Sequence, residues 1–214
     1  MTKTILIIGM GQGLSLGIAE KFGKEGYKVG MVSRSPEKLA GFKNHLQSLG
    51  ITSAFSAADV ADTDQLKKAI TDIKSQLGSI SILQYNAVDY RIKPLMEETV
   101  EDLTNGFKIS VANALAATQF LLADLKENKG AVLLTGGGLS IHPSPAVASI
   151  SLGKAGIRNL ALQLHQALKS DNVFVGTVTV SGAISPSSPT HSPEILAQKF
   201  WDLNTDRSKV EIIH

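Results

Sequence analysis

A chain of 214 residues, 43% hydrophobic and 19% charged, suits one globular domain with a sizeable core. Its net charge is only +2, from 21 basic and 19 acidic residues, and no basic run is interleaved with aromatics, so nucleic acid is not an expected partner. Cysteine is absent, which excludes disulfides, thiolate metal sites and a cysteine nucleophile and is compatible with a reducing cytoplasm, the expected location.

A single lysine precedes the first apolar run, which is too short for a signal-peptide core or a membrane span, so no membrane association is expected. That run, Thr4 to Ile8, is rich in Ile, as in a parallel strand buried on both faces. Gly9, Gly11 and Gly13 follow at once, then an amphipathic helix from about Leu14 to Lys24 and a second strand from Lys28 to Ser33. Together they read as one β-α-β unit of about 30 residues. Glycines there let the chain turn tightly and bring backbone against a pyrophosphate seated on the helix N-terminus. The spacing departs from the standard dinucleotide pattern, because Leu14 stands at the sixth position and Ser15 two places after Gly13. Ser33 and Arg34 end the second strand where an NAD-preferring fold usually presents a carboxylate. A guanidinium beside a hydroxyl suits a 2′-phosphate, the alternative being a solvated arginine that opens a loop. NADP(H), in preference to NAD(H), is therefore the expected cofactor.

Ser35-Pro36-Glu37 has the form of a helix start, with Ser as N-cap and Pro at the first helical position, for a helix ending near Gly50. Strands are expected over Thr52–Ala58, Ile80–Tyr85, Ala131–Thr135 and Val173–Val180. Helices are expected over Asp62–Leu77, from Glu97 to about Lys126, and over Lys154–Leu168. This alternation implies an α/β fold, a doubly wound parallel sheet in a single domain over residues 1–214, with the ligand outside the strand C-terminal ends. Residues 181–193 form a Ser/Pro-rich stretch, expected to be a loop on the substrate side. No histidine pair has metal-ligand spacing, so no metal site is expected.

The glycine turn, Arg34, and three later strand-end motifs together resemble the short-chain dehydrogenase/reductase family along nearly the whole chain. The motifs are Asp59-Val60, Asn86-Ala87 and Ser181-Gly182-Ala183-Ile184. The resemblance implies a Rossmann-type domain and a nicotinamide cofactor. It implies that Asp59 and Val60 border adenine, and that Gly182 and Ile184 lie beside the nicotinamide. It also implies a homo-oligomer, dimer or tetramer, assembled through the long helix and the helix after Lys154, where Ala112, Ala114, Ala116, Ala117, Ala155 and Ala161 would allow close approach or simply pack on the sheet. Lys154 matches the family's lysine, which holds the ribose and lowers the pKa of a catalytic tyrosine four residues earlier. That tyrosine is replaced by Ile150, the family's serine falls within Thr135-Gly136-Gly137-Gly138, and its asparagine falls on Ser110, near Asn113. His142 and Tyr90 sit in loops after strands, where each is either a surface loop residue or a relocated proton donor. Three functions are consistent with this pattern: an oxidoreductase of atypical mechanism on a small-molecule substrate, a non-catalytic dinucleotide-binding protein with a regulatory role, or a structural subunit that no longer binds the cofactor.

Overall fold

The computed structural model describes residues 3–214. Seven strands form one sheet: β1 (Thr4–Ile8), β2 (Lys28–Ser33), β3 (Ser53–Ala57), β4 (Ile82–Tyr85), β5 (Ala131–Gly137), β6 (Phe174–Val180) and β7 (Glu211–Ile213). Their spatial order is β3-β2-β1-β4-β5-β6-β7 and every pairing is parallel. The chain therefore winds outward from β1 to β3, then returns to the other side of β1 with β4. That reversal opens a crevice at the C-terminal ends of β1 and β4.

Helices cover both faces. On one lie α1 (Leu14–Lys24), α2 (Pro36–Ser48) and α7 (Pro193–Asp206); on the other lie α3 (Thr63–Leu77), α5 (Asn113–Glu127) and α6 (Ala148–Leu168), with α4 (Val100–Phe107) packed on α6. Ile5 and Ile7 of β1 enter the first core, while Leu6 and Ile8 enter the second. A strand with a core on each side has no solvent face, which explains its unbroken apolar run.

Several boundaries differ from the sequence expectations. The long helix starts at Val100, capped by the Thr99 hydroxyl, and is interrupted by a π turn over Lys108–Ala112. The Tyr85 hydroxyl donates to the Ile109 carbonyl inside that turn, at 2.5 Å, so β4 grips the helix where its ladder is broken. Burial pushes the Tyr85 phenol far above its usual pKa, so it stays a neutral donor. β5 runs two residues past Thr135, because Gly136 and Gly137 continue the pairing with Thr179 and Val180. Helix α6 begins at Ala148 and not at Lys154, which puts Ile150 and Lys154 one turn apart on the same helix. The Ser/Pro-rich loop stops at Ser192, whose hydroxyl caps α7 with Pro193 at the first turn. A Cβ at Gly17 would lie 2.8 Å from the Pro193 carbonyl oxygen, so α1 and α7 meet through bare backbone.

Candidate functional site

A cavity of about 890 Å³ opens beyond the ends of β1, β4, β5 and β6. Its floor on the β1 side is Gly11 to Ser15. Gly9 sits behind that floor with φ +89°, and a Cβ there would lie 2.4 Å from the Ala87 nitrogen, so the turns after β1 and β4 touch backbone to backbone. Gly13 also holds a left-handed φ, +100°, but a Cβ at Gly11 or Gly13 would meet nothing within 4 Å. Bare backbone thus borders open space, and no side chain caps the N-terminus of α1. Uncapped first-turn N–H groups beside such a space form a cradle for an anion.

Ser15, expected in place of a glycine, fits its surroundings. Buried, its hydroxyl donates to the Gly9 carbonyl at 3.0 Å and accepts from Asn86 Nδ2 at 2.7 Å. It therefore staples the glycine turn to the end of β4. Leu14 and Asn86 line the cavity, whereas Ala87 lies behind it.

The structure does not bring the adenine-side candidates into this cavity. Ser33 is half-buried at the end of β2 and Arg34 is exposed just beyond it. The Asp59 carboxylate folds back to accept from Ala61 N at 2.9 Å, and it lines a separate surface hollow with Asp62, Asp64 and Lys108. Val60 is buried in the core, its carbonyl accepting from Asn113 Nδ2. These residues flank the open edge of the sheet beyond β2 and β3.

The β5 side carries Lys154, the one basic side chain in the lining besides His142. Lys154 Nζ donates to the Thr135 carbonyl at 2.9 Å, and burial pulls its pKa down to about 8. Its stem lies along Gly137, where a Cβ would stand 3.1 to 3.2 Å from three of its carbons. Ile150 is buried and lines the cavity one turn before Lys154. An apolar side chain thus occupies the place from which a hydroxyl could act.

Ser110 is not in the cavity. It is buried, accepts from Asp89 N at 3.1 Å, and borders a small sealed space with Thr135, Gly153 and Lys154. Ser149, next to Ile150, donates to Asp89 Oδ2 at 2.6 Å. Asp89 thereby ties the π turn to the start of α6, a role no local sequence signal marks. Ser151 bonds Ser144, while the Ser140 hydroxyl is buried without a partner. Tyr90 and His142 both line the cavity from exposed loop positions. Gly182 and Ile184 line it from the far side, with the His191 ring packed on Gly182. Gln12, Val88, Leu139 and Val180 also line it. Only their places at or just after strand ends mark them in the sequence. Among the described residues no cluster of three or more His, Asp or Glu could hold a metal.

A family model for short chain dehydrogenases matches residues 3–191. The chain is 28% identical to 3-oxoacyl-(acyl-carrier-protein) reductase FabG of Staphylococcus aureus over 208 residues, covering 95% of this chain and 83% of that protein. It is 26% identical to L-2,3-butanediol dehydrogenase of Corynebacterium glutamicum over 215 residues, covering 98% and 78% respectively. The fold superposes on an alcohol dehydrogenase from Thermococcus sibiricus complexed with 5-hydroxy-NADP, with a TM-score of 0.86 at 17% identity over 99% of this chain and 95% of that one. A putative oxidoreductase of Escherichia coli K-12 gives 0.89 at 16% identity, over 99% and 95%. With the family model spanning most of its length, this chain belongs to the short-chain dehydrogenase family.

Proposed function

We propose that this protein is an NADP(H)-binding oxidoreductase with an atypical active site, acting on a small carbonyl or alcohol as a cytoplasmic homo-oligomer. The observation that carries this reading is the convergence of Gly11, Gly13, Asn86, Lys154, Gly182 and Ile184 on one cavity. The open space over Gly11 and Gly13 beside an uncapped helix N-terminus is what a diphosphate requires. Arg34, just past β2, carries a free guanidinium to the adenosine side, where a 2′-phosphate would pair with it. Lys154 presents an ammonium to the nicotinamide ribose, and Gly182 and Ile184 wall the ring. When bound, the nicotinamide supplies the hydride. The chain's own residues orient the carbonyl and exclude water, with Ile150 making the site dry. The proton at the carbonyl oxygen then comes from Tyr90, His142 or solvent. Calorimetric titration with NADPH and NADH, followed by single-turnover oxidation of bound NADPH, tests the reading; absence of dinucleotide binding refutes it.

A second reading has a specific observation in its favour. Ile150, one turn before Lys154, and Gly137, beneath the lysine stem, carry no hydroxyl, while Gly11, Gly13, Asn86 and Lys154 still line the cavity. A non-catalytic module whose conformation follows NADP(H) occupancy would show tight binding and no turnover.

A further inference from the structure

The segment from Asp89 to Met96, after β4, has its polarity inverted. Asp89, Arg91 and Lys93 turn inward: Arg91 pairs with Asp89 at 3.1 Å, Glu98 at 3.2 Å and Asp102 at 3.5 Å, and Lys93 pairs with Asp102 at 2.9 Å. The alternating residues turn outward, with Tyr90 77%, Ile92 73% and Met96 93% exposed. A surface segment normally buries its apolar residues and solvates its charges. Here a network of half-buried ion pairs holds the apolar side chains out in water, an arrangement that costs free energy unless something apolar covers them. The inverted face is continuous with the cavity: Tyr90 is part of the lining, and the turn at Leu95–Glu97 packs against Pro145–Val147, in the same loop as His142. Inside, the lining facing this rim is also apolar, from Val88, Leu139 and Ile150. Among the residues that line the cavity none is acidic.

We propose that the substrate is an uncharged carbonyl compound with a long apolar chain, its carbonyl near Lys154 and its chain passing Ile150 and Tyr90 to lie along Ile92 and Met96. The assignment rests on the reading of this cavity as the place where a carbonyl meets the cofactor, and it adds the substrate class. It makes Ile92 and Met96 specificity-determining residues that never touch the reacting atoms.

Calorimetric titration of the intact chain with 2-hexanone, 2-octanone and 2-decanone, with and without NADP⁺, tests the assignment. Affinity is expected to rise by about threefold for each added methylene. The double variant Ile92→Ser, Met96→Ser should weaken 2-decanone binding by about tenfold or more and leave 2-hexanone and NADP⁺ binding unchanged. Undetectable 2-decanone binding, affinity independent of chain length, or equal losses for all three ketones would overturn the proposal. So would a dimer that the variant dissolves with ketone affinities unaltered, which assigns the face to a second copy. Failure of the wild type to bind NADP⁺ counts against the oxidoreductase reading instead, and the ketone series without cofactor still decides this one.

Discussion

The stem of Lys154 lies flush on Gly137, and a Cβ at position 137 would stand 3.1 Å from its Cδ. The resemblance sets the family's serine within Thr135-Gly136-Gly137-Gly138, and we propose Gly137 as that position, which would make the missing hydroxyl and the seat of the lysine one structural event. Gly137→Ser should therefore not restore a family-like site. The Lys154 stem has to yield by a few tenths of an ångström to admit the new Cβ, which disturbs the seat of its ammonium. Ile150→Tyr is the opposite case, because it puts a phenol one turn from Lys154 on α6. Single-turnover NADPH oxidation with a simple ketone should accelerate about 10²-fold in Ile150→Tyr and not in Gly137→Ser. An unchanged Ile150→Tyr rate would show that more than the acid is missing.

Lys154 gives opposite pH signatures in stability and in binding. Its pKa near 8 lies below the ordinary 10.5, so between those values the unfolded chain holds a proton that the folded chain has released. Stability from this group therefore rises as pH increases through that window. Cofactor affinity falls above about pH 8 over the same range, as the amine loses the charge that attracts the dinucleotide. Urea midpoints and NADP⁺ dissociation constants across the window should diverge in the wild type, and Lys154→Met should remove the divergence.

Arg34 is solvent-exposed and has no ion-pair partner among the described residues, so a 2′-phosphate would be its first strong contact. Arg34→Ala should weaken NADP(H) binding by about 1.5–3 kcal/mol, the worth of a charge-assisted hydrogen bond, without changing NAD(H) affinity. Equal losses for the two cofactors in a fluorescence titration would contradict the assignment.

The proposed homo-oligomer has a defined surface. Ala114, Ala117 and Ala161 are fully buried on the sheet, so these small residues serve the core. Ala112 and Ala155 are exposed, alongside Phe107 at 49%, Leu115 at 37% and Leu152 at 49%. Phe107→Glu with Leu152→Glu should convert an oligomer to a monomer by light scattering, since an uncompensated charge in an apolar contact is costly. A monomeric wild type would remove the basis for this surface.

Asp89 joins the π turn and α6 through Ser110 and Ser149, and pairs with Arg91 of its own loop. Asp89→Ala leaves the buried Ser149 without its acceptor and Arg91 with less compensation, while the backbone N–H given to Ser110 is kept. Loss of about 2 kcal/mol of stability is expected in urea denaturation. Asp89→Asn should recover part of it by keeping an acceptor for Ser149.

Much of this protein was legible in its sequence because the signals are local. Thr4 to Ile8 needed no partner to be read as a doubly buried strand, and Gly9, Gly11 and Gly13 announced a turn open to a diphosphate. The same rule was available at the end of the chain: Ser35-Pro36-Glu37 and Ser192-Pro193-Glu194 carry one N-cap signal, yet no helix was expected after residue 193, because the cap and first residue of α7 close a stretch whose serines and prolines read as loop. β7 is three residues long and exists through its pairing with β6, so no periodicity could reveal it. The tertiary structure alone decided how the departures from the family are accommodated. Ser15 fits because Asn86 and Gly9 meet its hydroxyl, and Lys154 sinks because Gly137 offers no side chain. The apolar residues from Tyr90 to Met96 face outward because Glu98 and Asp102 draw the charges between them inward. The first two depend on contacts of Ser15 with Asn86 and of Lys154 with Gly137, across the chain, and the third on how the segment around Arg91 folds back on Glu98 and Asp102. Only the close packing of the folded state sets such distances.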